Sequence, residues 1–404
     1  MSIATTPRAI GRQLDDAPGL ARTVDELLMT RGEPPVLFGL GEPTHGIAAF
    51  PVLRNELLAH LAGRGYRSIV LETDLFAASA VDDYVRGAAA DIDTVLATGF
   101  SHGFGAVPGN RELVEWLRAY NAELAPPDRV RFHGFDAPLE FGSAPSPRRA
   151  LYAVADYLPT PMRPDSVATL DTLLGEDARW SDEAAMFDAA VSIGASERAR
   201  ALRVVADDLA GALRRAAPAL RPADPGRYYQ VAAHARTAQG LLRYHAAMAD
   251  PAPERIATLQ SLRSVMMADN LLAIVAREQQ RGPCLAFAHN EHLRRTRPAA
   301  SDEQPVNWCG AGELMDFELG ERYLFVATDA APDPDPGTLQ AVLSEASTRR
   351  TLFPASALRA ALPPALEAGE PIVPGHIPLG PADTAGADAI VFINDTDGKR
   401  FQYW

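Results

Sequence analysis

Short apolar runs alternate with helically spaced apolar positions along the first third of the chain. Val36–Leu40 and Ser68–Leu71 read as buried strands. Between them, Pro51–Leu61 places Val52, Leu53, Leu57, Leu58 and Leu61 at helical spacing, with Pro51 expected as the first helical residue, where a missing N–H costs nothing. A helix around Ala77–Val85, a turn-rich interval Thr98–Asn110, a helix Glu112–Asn121 and a third strand Val130–Phe135 continue the series. This β-α-β-α order predicts a parallel sheet. From about residue 145 the pattern becomes helical, as in Glu197–Leu220, where Leu202, Val205, Leu209 and Leu213 recur every three or four positions. Two further helices are expected near Tyr228–Ala249 and Ile256–Gln280. Strand signals return at Pro283–Ala288, Arg322–Ala327 and Ala389–Ile393, and a proline-rich stretch including Pro371–Pro381 reads as connecting loop. The expected fold is α/β: a central, mostly parallel sheet flanked by helices, with an inserted helical lobe. Residues 1–144 and 282–404 would form the core and residues 145–281 the lobe.

Composition narrows the function classes. With 52 acidic against 38 basic residues the net charge is −14, which repels phosphate backbones and anionic lipid surfaces. Neither nucleic acid nor a membrane is expected as a partner. No apolar stretch approaches the ~20 residues needed to span a bilayer, and the N-terminus mixes charges with apolar residues, so a cytoplasmic location is expected. Cys284 and Cys309 fit no disulfide or zinc pattern and read as small buried hydrophobes. Oligomeric state is left open.

The candidate chemistry lies where apolar runs end. In open α/β sheets ligands bind at the carboxyl ends of strands. Gly-Leu-Gly-Glu-Pro-Thr-His-Gly (39–46) brings Glu42 and His45 to one such end, and Ala-His-Asn-Glu-His (288–292) brings His289 and His292 to another. Glu72 follows Ile69-Val70-Leu71, and Asp136 ends the third strand. If these strands share a sheet, the carboxylates and imidazoles meet in one acid/base centre. Arg54, expected in the first turn of the helix after His45, would balance the acids or steady a substrate oxygen. Arg263 and Asn270 fall on an apolar helical stripe with Ile256, Leu259 and Met267 and need partners there, in a buried loop or in the cleft. The i, i+3 spacing of His289 and His292 suits a metal only on a helix, whereas the preceding apolar run argues for a strand. No cofactor is expected, and metal is unsupported although not ruled out. The chain has no Gly-x-Ser-x-Gly elbow, P-loop or dinucleotide fingerprint.

Together, Gly-Glu-Pro-Thr-His-Gly, Leu-Glu-Thr-Asp (71–74), Gly-Phe-Asp (134–136), the helix with Arg263, Met267 and Asn270, and Ala-His-Asn-Glu-His, in this order, resemble the erythromycin esterase family. The resemblance implies opening of a small-molecule ester or lactone, macrolides among them, by water. His45 would be the general base, Glu42 and Glu72 would position it or the water, and His289, His292 and Arg54 would complete the site. Arg263, Asp136 and Glu291 would bind substrate or support the others. Three positions depart from the family's usual pattern: Pro43 stands for alanine, Glu291 for glycine and Ser264 for an acid. Glu291, if turned inward, would raise the pKa of both imidazoles. The alternative is a biosynthetic enzyme using the same groups for intramolecular acyl transfer, cyclisation or elimination. A third reading, a binding protein without turnover, leaves so many proton-transfer groups unexplained.

Overall fold

In the computed structural model, residues 6–140, 143–296 and 308–400 are described. Eight strands form one sheet among these residues: β1 (Arg12–Gln13), β2 (Leu37–Glu42), β3 (Ser68–Asp74), β4 (Arg131–Asp136), β5 (Cys284–His289), β6 (Tyr323–Ala330), β7 (Arg350–Pro354) and β8 (Ala389–Ile393). Their spatial order is β1-β7-β8-β6-β2-β5-β3-β4. The pairs β2/β5, β2/β6, β3/β5 and β6/β8 are parallel, and β7 joins β8, and β1 joins β7, antiparallel at one edge. The fold is α/β, with helices flanking a mostly parallel sheet. Every residue of β2, β5, β6 and β8 is buried. Burial on both faces is what turns strand sequences into unbroken apolar runs instead of alternating ones.

Two compact units divide the chain. One is built from the chain up to Phe135 and from segments after Asn270; the other spans Asp136–Asn270. The first carries the sheet and a core that includes Phe38, Leu40, Leu57, Leu71, Leu113 and Phe287. The second is helical. Helices Glu197–Ala223 and Pro225–Met248 pack Leu202, Val205, Leu209 and Leu213 against Val231, Ala235 and Leu242, with Trp180 fully buried beside them. Ser196 and Asp224 cap these two helices through Ala199 N–H and Arg227 N–H. Where 144 and 281 were expected as boundaries, the chain leaves the first unit after Phe135 and returns to it at Leu271, inside helix Arg255–Glu278.

Several sequence expectations need correction. The helix after β2 runs Ala49–Gly63, so Pro51 is its third residue, still in the turn whose N–H groups lack intrahelical partners, and Val52 faces solvent. Arg54 therefore sits in the second turn. Ile256 is exposed, so the apolar stripe of its helix starts at Leu259. The stretch between β6 and β8 is not all loop: it holds helices Leu339–Ala346 and Ala355–Ala361 and the whole of β7. Strand β7 is short, opens on Arg350 and closes on Pro354, and its pairing is antiparallel, so it lacks the apolar signature of its neighbours. No described helix is long and apolar enough to cross a membrane.

Candidate active site

Register brings the candidate residues together in the first unit. Glu42, the last residue of β2, lies directly opposite His289, the last residue of β5. On the other side of β5, β3 is aligned through Leu71 opposite Phe287, so Glu72 follows one position later. Its Oε2 accepts the backbone N–H of His289 at 2.8 Å. Three neighbouring carboxyl ends thus deliver two acids and an imidazole to one row.

The turn after β2 depends on Gly41. A Cβ there would lie 2.1 Å from Asn290 Oδ1, so only glycine lets the chain after β5 approach. Asn290 in turn donates to Thr328 O at 2.8 Å, and Thr328 Oγ1 donates to Gly41 O at 2.7 Å, which ties together the ends of β2, β5 and β6. Asn290 lies inside the Ala-His-Asn-Glu-His motif, yet nothing local in the sequence marks this role. Its signal was Gly41, far earlier in the chain, where the absence of a side chain makes room for a close partner.

His45 is held at both ends of its ring. Nδ1 lies 2.8 Å from Glu42 Oε1, and Nε2 lies 3.8 Å from Glu72 Oε2. With Glu42 ionised, the short contact places the proton on Nδ1 and leaves Nε2 as a proton acceptor facing the second carboxylate. Phe104 packs against the ring at 4.7 Å between centroids. Glu42 is buried, and its other oxygen, Oε2, accepts no hydrogen bond from any described residue. Burial pushes the Glu42 pKa up, against the opposing effects of His45 and of the Arg54 charge.

The other candidates occupy distinct environments. His289 donates Nε2–H to Pro43 O at 2.8 Å, and its Nδ1 accepts Glu291 N–H at 3.2 Å. Both nitrogens are spent and the ring is neutral. Burial, with the neighbouring His45 and His292, pushes its pKa down to about 3. His292 Nε2 is 3.2 Å from Glu72 Oε1. Arg54 is 1% exposed and donates to Asn110 Oδ1 at 2.8 Å, to Gly109 O at 3.1 Å and to Asn55 Oδ1, with its guanidinium over the Phe287 ring. Burial lowers its pKa to about 10. Gly109, at φ 93°, turns the backbone so that its carbonyl faces these donors. A recess lined by Phe100, Phe104, Val107 and Phe287 reaches Glu42, His45, Arg54 and Glu72.

Glu291 is engaged first by Arg294: burial pushes its pKa up, against the Arg294 charge and, more weakly, that of His292. It is ion-paired with Arg294, which also holds Asp383 Oδ1 at 3.1 Å. The His289 pKa moves down, opposite to the direction expected of an inward acid. In the second unit, Asp136 is fully buried and takes Arg263 Nε at 3.1 Å and Nη2 at 2.6 Å, a bidentate pair. Asn270 accepts from Arg236 at 3.3 Å. Ser264 is fully buried, where the acid usual in the family would need a partner of its own. Among the described residues no group of three or more His, Cys, Asp or Glu side chains is arranged to hold a metal ion.

A family model for erythromycin esterase matches residues 61–368. The chain belongs to the erythromycin esterase family. The matched span includes Glu72, His289 and His292, while Glu42, His45 and Arg54 precede it and stand on geometry. Among solved structures, a Bacillus cereus protein shares 16% identity at a TM-score of 0.70, covering 96% of this chain and 95% of its own. A succinoglycan biosynthesis protein shares 16% at 0.65 with the same coverage. A mutant erythromycin esterase, EreC, in its open conformation shares 18% at 0.67, covering 98% of both chains. At these identities the structures establish the common fold. A search of curated proteins found no match. Membership of the erythromycin esterase family supports an esterase-like hydrolase acting on a small-molecule ester.

Proposed function

We propose that this protein hydrolyses an ester or macrolactone with water activated by His45, without a serine nucleophile. The observation that carries the reading is the Glu42–His45–Glu72 line, with Nδ1 at 2.8 Å from one carboxylate and Nε2 facing the other at 3.8 Å. A water oxygen within hydrogen-bond reach of Nε2 and Glu72 Oε2 fits over that gap. His45 Nε2 takes the proton as the water oxygen bonds to the acyl carbon. The tetrahedral intermediate then breaks its bond to the alkoxy oxygen, which takes the proton back from His45. Glu42 holds the tautomer and orientation of the ring. His289 and Arg54 have their polar atoms engaged by protein partners, and His292, whose Nε2 lies 3.2 Å from Glu72 Oε1, is assigned the charge developing on the carbonyl oxygen.

The test is a panel of macrolides and simple esters incubated with the protein in water enriched in heavy oxygen and followed by mass spectrometry. Uptake of one labelled water, reduced about 10²-fold or more in rate in His45→Ala, is the expected result. Unchanged hydrolysis in that variant would refute the assignment. A product formed without label would instead give the same base to acyl transfer onto a substrate hydroxyl.

A further inference from the structure

The connection between helix Ala355–Ala361 and β8 reads as ordinary loop, yet it buries a histidine. His376 donates Nε2–H to Asp329 Oδ1 at 3.0 Å, and its Nδ1 accepts Ile372 N–H at 3.0 Å; both side chains are fully buried. Asp329 Oδ2 also accepts Leu379 N–H at 2.9 Å and Gln340 Nε2–H at 2.7 Å. Between these anchors, Ile377 N–H donates to Pro43 O at 3.0 Å. That carbonyl is the one His289 Nε2–H occupies, so its two acceptor positions are taken by the strap and by the imidazole. Farther along, Asp383 receives Arg294, which is paired with Glu291, and Arg295 N–H donates to Gly386 O at 3.2 Å.

We propose that residues 376–383 act as a strap that sets the two histidine-bearing loops relative to each other, with His376 and Glu291 as positioning residues. His376, through Asp329, fixes Ile377 N–H on the carbonyl of Pro43, two residues before His45. Glu291 and Arg294 fasten the turn carrying His292 to Asp383. The departure at position 291 thereby acquires a function remote from proton transfer. The catalytic consequence rests on the hydrolase reading above; the positioning itself does not.

His376→Ala and Ile377→Pro are the variants, the second because proline removes the donating N–H while the Ile377 side chain is 47% exposed and contributes little packing. Loosening a catalytic loop by a fraction of an ångström to 1 Å is expected to lower kcat ten- to about a hundred-fold with KM within about twofold. His376→Gln, which restores a donor to Asp329, should recover most of the loss. An independent readout is the NMR signal of the His289 Nε2 proton, expected to be protected from exchange in the wild type and to exchange rapidly in Ile377→Pro. A folded Ile377→Pro protein with unchanged kcat and an unchanged ring-proton signal overturns the proposal. If His376→Ala does not fold, Ile377→Pro decides. If the wild type hydrolyses nothing in the panel, the hydrolase reading fails alone, and the ring proton still decides on the strap.

Discussion

His289 is the residue whose protonation state separates a positioning role from a charged one, and pH-dependent stability reports on it. Its pKa is about 3 in the folded protein, because burial and the adjacent imidazoles outweigh Glu72 and the Pro43 carbonyl. In the unfolded chain it returns to ~6.5. Between those values the unfolded state binds a proton that the folded state does not, so the contribution of His289 to stability is fully present above pH ~6.5 and is lost as pH falls towards 3. From pH 7 to pH 5 the loss from this one residue is about 2 kcal/mol, out of about 5 kcal/mol over the whole window. His289→Gln keeps an N–H for Pro43 O and cannot take up the proton. Glu42, whose raised pKa acts in the opposite sense, is present in both proteins and cancels in the comparison. Urea unfolding at pH 7 and pH 5, followed by circular dichroism with m held equal, should therefore show the wild type losing about 2 kcal/mol more than the variant. Equal losses would mean that His289 carries its proton in the folded protein at pH 5, and the neutral ring donating to Pro43 O would have to be abandoned.

Other perturbations probe the remaining contacts. In Glu42→Gln the amide can turn its NH2 towards His45 Nδ1 and hold the wrong tautomer, so kcat should fall about 10²-fold or more; a loss confined to KM would contradict an orienting role. In the wild type the raised Glu42 pKa places the acid limb of the pH–rate profile above the ordinary glutamate range, activity falling as pH falls. Arg54→Met removes a charge that holds Glu42 down, so that limb should move to higher pH; an unmoved limb would separate Arg54 from Glu42. Asp136→Ala leaves Arg263 without its bidentate partner and should destabilise the second unit by about 3–5 kcal/mol, measured by urea unfolding, whereas a loss below about 1 kcal/mol would show the pair to be dispensable.

Legibility followed the range of the interaction. Strands β2, β3, β5 and β8 were readable because burial on two faces writes itself as a local apolar run, and the motif acids and imidazoles were readable because they terminate those runs. Strand β1, of two residues, and β7, framed by Arg350 and Pro354, owe their places to pairing at the antiparallel edge and carry little local signal. Arg54 reads as a first-turn residue, because two residues of helix before Pro51 lack a distinctive start: Ala48 caps nothing with its side chain. His289 resembled a free imidazole since its partner is a main-chain carbonyl 246 positions away. His376 was hidden likewise by a distant partner, the buried Asp329 carboxylate 47 positions earlier. Glu291 was misjudged on adjacency. In a helical turn the residue that shares its face is three or four positions on, so Arg294 is its ion-pair partner and the adjacent His292 acts on it only more weakly.

Sequence also had no means of ranking the two site glutamates, both of which end an apolar strand. Their difference comes from what the neighbouring strands present. Glu72 stands beside β5, so the His289 main chain occupies one oxygen and His292 faces the other. Glu42 meets His45 with one oxygen, while Oε2 stays buried without a hydrogen bond from any described residue. A carboxylate with an unsatisfied buried oxygen is costly to ionise, and the nearby Arg54 charge offsets part of that cost. Glu42 is thus an acid whose charge responds to its surroundings, while Glu72 is anchored by the His289 main chain. Two residues of one type at equivalent strand ends acquire different roles because a main-chain N–H anchors Glu72, whereas among the described residues the hydrogen bond Glu42 makes is to the His45 ring alone.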